Sequence, residues 1–214
     1  MKNPFLYLFV TIIFIAPLLV VPFTGDSYNT PKNIFIQLSI LLCLLLWIKN
    51  ILTQDKIDIV ASKFYLFLFG FALTSVLSLL WAENFYFATR SILQIFIFAA
   101  AFIIAANTVK PDKIRFAVSV ALIAGFLSAA YGILQYFGFD LIGFQGAASP
   151  DWKWRASSTF GDPNFLADYL MLIFPVGVAL YLSSPKIINK FFFLFMLTVI
   201  YAALLITFSI GALI

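Results

Sequence analysis

The chain has 214 residues, of which 64% are hydrophobic and 10% are charged, and its mean hydropathy is +1.07. This composition excludes a soluble globular domain. The chain has no histidine, and Cys43 is its only cysteine, so it cannot build a Ser-His-Asp triad, an internal disulfide or a His/Cys metal site. We assign neither a metal nor a cofactor to the chain.

Apolar runs of about twenty residues recur along the whole chain, and about twenty helical residues cross a bilayer core of about 30 Å. The runs do not alternate in polarity as barrel strands do. We therefore predict an all-α, polytopic bundle that forms a single transmembrane domain. Its seven spans are expected at about 4–23, 33–52, 64–81, 91–109, 114–137, 164–182 and 191–213.

The two ends of the chain also lead to expectations. The first span lacks a small-residue cleavage site and is too long for a signal peptide, so we predict an uncleaved helix. The chain stops at Ile214 inside an apolar run. We therefore expect it to be the N-terminal part of a longer protein.

The positions of lysine and arginine predict the orientation of the bundle, because cations in short loops favour the cytoplasmic side. With a cytoplasmic N-terminus, nine cations lie inside and four lie outside. The inner set is Lys2, Lys49, Lys56, Lys63, Lys110, Lys113, Arg115, Lys186 and Lys190, and the outer set is Lys32, Arg90, Lys153 and Arg155. The net charge of +4 thus reflects topology and not nucleic-acid binding, and the loop at 138–163 faces outward.

The outward loop carries an unusually dense group of polar side chains, and long loops in compact domains tend to be functional. Arg155 lies far from both predicted membrane boundaries, and its planar guanidinium matches phosphate oxygens. Lys153 alternates with Trp152 and Trp154, which fits either a binding surface or a loop that rests on the membrane interface. Two interpretations stay open for Lys32 and Arg90. Each side chain either takes part in a binding site or only extends its charged end to the membrane–water interface.

The sixth span begins with residues typical of a helix start. Asp162 is a good N-cap, and Pro163 suits the first helical position. A helix N-terminus behind an arginine also attracts phosphate, although Asp162 competes for the same positive end.

Asp168 lies one helical turn after Asn164, on the same face and inside the apolar run, where an ionised side chain is costly. It is expected to pair with a cation, the candidates being Arg155, Arg90 and Lys32, or else to contact substrate or act as a general base.

Residues 155–170, with the sequence RASSTFGDPNFLADYL, resemble the signature of the O-antigen ligase/O-antigen polymerase superfamily. The family form is an arginine followed by Ser/Thr-Phe-Gly-Asn-Pro-Asn at a helix start, and Asp162 stands here where asparagine is common. Weaker similarity extends to Pro31-Lys32, to Trp81-Ala-Glu-Asn ahead of Arg90, and to Tyr136-Phe-Gly-Phe-Asp140. Thr207-Phe-Ser-Ile-Gly-Ala212 resembles a Ser-Arg-Gly-Ala motif, with Ile210 in place of the arginine.

The resemblance implies a GT-C-like membrane glycosyltransferase on the outer face of the bacterial cytoplasmic membrane. Such an enzyme transfers a glycan from an undecaprenyl-diphosphate-linked donor to lipid A-core, a glycan or a protein, without an essential metal. It implies that the donor diphosphate binds Arg155, Arg90, Lys32 and Asn164, with Asp162, Asp168 and Lys153 in support. The family also has a catalytic outward loop, expected beyond Ile214, so no catalytic residue is assigned.

Two other classes of function remain open at this stage. Asp168 and the prolines of spans one and six fit a transporter or flippase for a lipid-linked or anionic solute, although no repeated topology is visible. A non-catalytic membrane scaffold, whose outward loop contacts a partner, is the other alternative.

Overall fold

A computed structural model of the chain describes residues 4–22, 25–53, 62–140, 155–209 and 211. These residues form helices and no β-strand, which confirms the all-α prediction. The helices are α1 (Pro4–Leu18), α2 (Asn29–Leu52), α3 (Phe64–Leu77), α4 (Phe85–Thr108), α5 (Pro111–Tyr136), α6 (Pro163–Leu182) and α7 (Ile187–Ile206). Short 3-10 helices occupy Ser78–Trp81, directly after α3, and Ser158–Phe160, ahead of α6.

Six helical segments in the described ranges are long and apolar enough to cross a membrane: α2, α3 with its 3-10 extension, α4, α5, α6 and α7. This is the pattern of a multi-pass membrane protein. Several helices begin a few residues earlier than predicted. The predicted spans begin with the apolar runs, whereas the helices also include or are capped by the polar residues that precede those runs. At α4, for example, the Asn84 side chain accepts a hydrogen bond from the Phe87 N–H at 3.2 Å.

The first helix is shorter than the span predicted at 4–23. α1 ends at Leu18, and its 15 residues extend over only about 22 Å. Pro17 has no N–H to donate within the last turn, and Pro22 disfavours helical backbone at Val21. Val21 instead donates its N–H to the Ser27 carbonyl at 3.0 Å, which turns the chain towards α2.

The chain divides into two compact units, and the candidate site lies in the second. The first unit consists of Met1–Leu8 and Gln37–Val109, and the second of Phe9–Ile36 and Lys110–Ile214. In the first unit α3 packs on α4, where the Tyr65 hydroxyl accepts a hydrogen bond from the Asn107 amide at 3.0 Å. The prediction of a single domain is not tested by this division.

The second unit is built on the mutual packing of α5, α6 and α7. Its core contains Leu122, Ala129, Leu166, Leu170, Ile173, Ile200 and Ala203. Gly177 permits close approach of the helices, since a Cβ added there would lie 2.7 Å from the Leu197 side chain and 2.9 Å from that of Leu122. Small residues of this kind let helices pack closely where no hydrophobic effect drives them together.

Asp26 caps the start of α2. Its carboxylate accepts hydrogen bonds from the backbone N–H groups of Tyr28, Asn29 and Thr30 at 3.0–3.1 Å. Partial burial raises the pKa of Asp26, but these backbone bonds and one from the Thr30 hydroxyl outweigh it and hold the pKa below its ordinary value. The carboxylate is therefore ionised at neutral pH and stabilises the end of the helix that carries Lys32.

We expect Asp26→Ala to lower the free energy of unfolding by about 1 kcal/mol at neutral pH, the typical cost of losing an N-cap. Because the pKa is lowered in the folded state, the difference from wild type is present at neutral pH and disappears as the pH falls through that lowered pKa. Thermal unfolding of the detergent-solubilised protein measures it. Asp26→Asn, which keeps one acceptor oxygen, should lose less, and equal stability of all three proteins at neutral pH would contradict the capping role.

Candidate functional site

The site is organised around residues 155–164, which we call the signature loop. This loop connects the preceding segment, 141–154, with α6, and it runs among the helices of the second unit with most of its side chains covered. The described residues include nine buried polar or charged side chains. Eight of them belong to the signature loop or to its direct supports, namely Lys32, Ser128, Gln135, Ser157, Ser158, Thr159, Thr207 and Ser209.

Gln135 and Ser128 of α5 hold the middle of the signature loop. The Gln135 side-chain carbonyl accepts hydrogen bonds from the backbone N–H groups of Ser157 and Ser158, at 3.3 and 2.7 Å. The Ser158 hydroxyl donates to the Ser128 carbonyl at 2.6 Å. A buried amide N–H without a partner costs about 1–3 kcal/mol, so these bonds permit a polar loop inside an apolar bundle.

The next part of the loop is held by α1 and α2. The Thr159 hydroxyl donates to the Pro17 carbonyl at 2.7 Å, and that carbonyl is available at the C-terminal end of α1. The Lys32 ammonium donates to the Thr159 carbonyl and lies 4.4 Å from the centre of the Phe160 ring. With only 8% of its surface exposed, Lys32 lies buried against the signature loop.

Gly161 lies directly against an aromatic ring. Its φ is +71°, and a Cβ added there would lie 2.3 Å from Cδ2 of Tyr28. Burial raises the pKa of Tyr28, and the carboxylate of Asp140 raises it further, so the phenol stays neutral. Asp140 is in turn held by the Tyr131 hydroxyl, which donates to it at 2.5 Å.

Arg155 connects the two ends of the site, and we call Arg155, Asn164, Thr207 and Ser209 the Arg155 cluster. Arg155 Nε donates to the Thr207 carbonyl at 2.6 Å, while Nη2 donates to Asn164 Oδ1 at 2.8 Å and to Ser209 Oγ at 3.3 Å. The Ser209 hydroxyl also donates to Asn164 Oδ1, at 2.5 Å. A guanidinium has five N–H donors, and Nη1 is left without a partner among the described residues.

The charge of Arg155 is not neutralised within the described ranges. All of its acceptors there are neutral oxygens, and the ion pair seen in these ranges, between Lys113 and Asp112, lies at the start of α5. Arg155 is half-buried. A partly desolvated cation without a carboxylate partner has a favourable place for an anion beside it.

The backbone on both sides of the Arg155 cluster has unusual conformations. Ser158 and Phe208 have positive φ values of +51° and +49°, which residues other than glycine rarely adopt. Such conformations persist where surrounding contacts hold them, and they concentrate at functional sites. Here one contact is the hydrogen bond from the Ser158 N–H to the Gln135 side chain. The other is the bond from Arg155 to the carbonyl of Thr207, which precedes Phe208.

The outcomes for the predicted site residues differ. Asp162 is confirmed as the N-cap of α6, since its side chain accepts from the Asn164 N–H at 2.7 Å, and Pro163 occupies the first turn as predicted. The expected pairing of Asp168 with a cation is not formed among the described residues. Asp168 is exposed on α6, and the acceptors of Arg155 are neutral oxygens.

The assignments of Arg90 and Lys153 stay predictions. Arg90 is exposed near the start of α4, in the first unit. Lys153, Trp152 and Trp154 fall outside the described residues, as does Ile210, which stands where the family motif has arginine.

Sequence reasoning overlooked the residues that support the loop. Gln135 and Ser128 are polar positions in an apolar span, and that contrast is a signal that could have identified them. Tyr28 and Pro17 carry no such signal, because Tyr28 acts through ring packing and Pro17 through its carbonyl. Thr207 was recognised only as part of a motif, whereas its carbonyl is the acceptor for Arg155.

Comparison of the chain with protein-family models, curated proteins and solved structures found no match.

We expect Gly161→Ala to destabilise the signature loop. The left-handed backbone alone costs about 1–2 kcal/mol for a residue with a Cβ, and the clash with the Tyr28 ring adds to it. Gly25→Ala is the matched control, because nothing lies within 4 Å of its added Cβ and its φ is not positive. Limited proteolysis and thermal unfolding should separate the two variants, and equal protease resistance would show that the Tyr28 contact does not constrain the loop.

Proposed function

We propose that this chain is a membrane glycosyltransferase of the O-antigen ligase/polymerase type, GT-C-like in fold, in which the Arg155 cluster binds the diphosphate of a polyprenyl-linked glycan donor. The observation that carries the proposal is the state of Arg155. It is half-buried in a membrane protein, is oriented by three neutral oxygens, and keeps Nη1 without a partner among the described residues. A fixed guanidinium with donors to spare suits an anion with several oxygens.

A second line of support comes from the two segments that resemble the family. Residues 155–170 and Thr207–Ala212 are widely separated in the sequence, and each resembles a different family motif. In the structure they meet, through the bonds from Arg155 to the Thr207 carbonyl and from Ser209 to Asn164. Contact between two independently recognised motifs is what a shared binding site requires, although fold-level likeness alone would not argue function.

The chemistry needs a positive group where the leaving group develops charge. During transfer, the bond between the anomeric carbon and the diphosphate oxygen breaks, a bond from the acceptor hydroxyl oxygen forms, and the acceptor proton passes to a base. Negative charge grows on the departing diphosphate, and a preorganised cation stabilises it more strongly in the transition state than in the ground state. Arg155 is preorganised by Thr207 and Asn164, so little reorganisation accompanies this step.

The other cations take different parts in the proposal. Lys32 contributes positive potential from its buried position while it holds the Thr159 carbonyl, and Asn164 orients Arg155 through its amide oxygen. Arg90 and Lys153 are proposed as further contacts to the diphosphate. The signature loop faces the outer side of the bacterial cytoplasmic membrane in this proposal, and the acceptor is lipid A-core, a glycan or a protein.

The direct test is the loss of glycan transfer in Arg155→Ala. We expect the transfer rate from a polyprenyl-diphosphate-linked glycan to fall about 10²–10³-fold, the usual effect of removing one preorganised donor to a developing anion. Arg155→Lys should recover part of the rate, because it keeps the charge and loses the planar fork. Transfer is measured in membranes from cells that lack the chromosomal gene and carry each variant.

Arg115→Ala is the matched control. Arg115 of α5 also stabilises a helix end, because it donates to the Ser183 carbonyl at 3.3 Å and to the Ser184 hydroxyl at 3.0 Å. These acceptors follow the C-terminal end of α6, whereas Arg155 bonds to Asn164 at its N-terminal end. Removal of Arg115 therefore reports the cost of losing a structural arginine. Full transfer by Arg155→Ala would overturn the proposal. Lipid-linked glycan trapped on the cytoplasmic leaflet in the null strain would favour a flippase, and unchanged glycan lipids would favour a scaffold.

A further inference from the structure

One exposed face of α6 carries a carboxylate. Asp168, Leu172, Pro175 and Ala179 are all exposed, and their spacing of four, three and four residues places them along one side of the helix. We call these four residues the α6 stripe. Apart from Asp168 the stripe is apolar, so the acid is the feature that a covering partner must match.

Asp168 lies where an unpaired charge is costly. The 20 residues of α6 extend over about 30 Å, which is the thickness of a hydrocarbon core. Asp168 follows Pro163 by five residues, so it lies about 7.5 Å inside the start of the helix. Its short side chain cannot extend back to the interface as lysine and arginine do. It forms no ion pair with another described residue, and an ionised group at this depth calls for an opposite charge.

A groove of about 400 Å³ lies in the first unit, between α2 and α4, and we call it the α2–α4 groove. Its lining is apolar apart from Gln37, and it includes Leu41 of α2 and Leu93, Ile97 and Ala100 of α4. Side chains of one helix pack into grooves of this kind on another. The groove therefore suits the exposed face of a further membrane-spanning helix.

Arg90 lies at one end of this groove. Leu93, Ile97 and Ala100 follow it by three, seven and ten residues, so Arg90 shares the face of α4 that lines the groove. Arg90 is exposed, and no carboxylate among the described residues pairs with it. The α2–α4 groove thus begins with an unpaired cation, as the α6 stripe begins with an unpaired acid.

The two charges also lie at the same depth. Arg90 is the sixth residue of α4, and Asp168 is the sixth residue of α6. Both helices and α5 between them are long and apolar enough to cross a membrane, and successive crossings alternate in direction. α4 and α6 therefore run the same way, whichever side the chain starts from. In each helix, apolar side chains follow the charge after three or four residues and again after seven.

We propose that this face joins two copies of the chain, with the α6 stripe of one copy packed in the α2–α4 groove of the other. Asp168 then forms an ion pair with the partner's Arg90, while Leu172 and Pro175 contact the lining of the groove. A second copy is the occupant because the acid and its matching cation both belong to this chain and do not pair within its described ranges. Neither charge then faces hydrocarbon alone.

The inference is independent of the proposed glycan transfer. It is also compatible with a phosphate contact at Arg90, because a guanidinium has five N–H donors and a carboxylate occupies only some of them.

Cross-linking in membranes tests the contact directly. One copy carries Arg90→Cys and one tag, a second copy carries Asp168→Cys and another tag, and both are expressed together. We expect a short bis-maleimide linker to join them into a product with twice the mass of the chain and both tags. Cys43 is fully buried, so copies without the new cysteines should give no product.

Two results of this experiment would overturn the inference. One is the lack of any product that carries both tags. The other is a cross-link that forms only within one chain when Arg90→Cys and Asp168→Cys are combined, since it would assign the ion pair to the monomer.

Charge reversal tests whether the ion pair holds the copies together. Asp168→Arg places two cations against each other and should weaken dimerisation roughly tenfold or more, as counted by single-molecule photobleaching in liposomes. Asp168→Asn keeps the shape of the side chain and should weaken it less. Adding Arg90→Asp to Asp168→Arg should restore the dimer. Asp112→Arg is the matched control, because Asp112 is an exposed acid in the first turn of another spanning helix.

The contrary outcomes are equally specific. Equal dimer fractions in wild type, Asp168→Asn and Asp168→Arg would remove the ion pair from the contact and overturn the inference. A wild-type protein that stays monomeric in liposomes would leave the α6 stripe to lipid and overturn it as well.

Discussion

The rest of the site depends on one constraint, which is that a polar loop enters a bundle of apolar helices and must find hydrogen-bond partners there. Backbone N–H and C=O groups away from water are tolerated only when they are satisfied internally. Gln135 accepts hydrogen bonds from two N–H groups of the loop. Thr159 donates a hydrogen bond to the Pro17 carbonyl and accepts one from Lys32. These partners come from three helices, so the position of the signature loop is defined by the packing of the second unit.

This constraint also explains how Arg155 acquires a defined orientation. Asn164 lies at the start of α6, and Thr207 lies where α7 ends and leaves a carbonyl unused. Arg155 bonds to both, so the guanidinium spans the N-terminal end of one helix and the C-terminal end of the next. The arginine holds these helix ends through Nε and Nη2, and Nη1 has no partner among the described residues. The unusual backbone at Ser158 and Phe208 is the local cost of this arrangement.

Lys32 and Phe160 connect the signature loop to Tyr169 of α6. A lysine buried to this extent is expensive unless it is bonded, and here a carbonyl and a ring face share it. The Phe160 ring in turn packs against the Tyr169 ring, with 5.0 Å between the ring centres. A continuous path of contacts therefore runs from the buried ammonium of Lys32 through Phe160 to Tyr169 on α6.

The sequence by itself determined the helical membrane class, most of the helix positions and the start of α6. These follow from local rules: apolar runs of membrane-spanning length, and the Asp162-Pro163 cap chemistry confirmed at α6. Only the tertiary structure decided what the polar residues do. It showed that Lys32 is buried, that Asp168 is exposed without a cation partner in the described ranges, and that Thr207 meets Arg155. Those outcomes depend on contacts between residues far apart in the chain. Many of these contacts use backbone carbonyls, which every residue type supplies, so a local pattern carries no information about them.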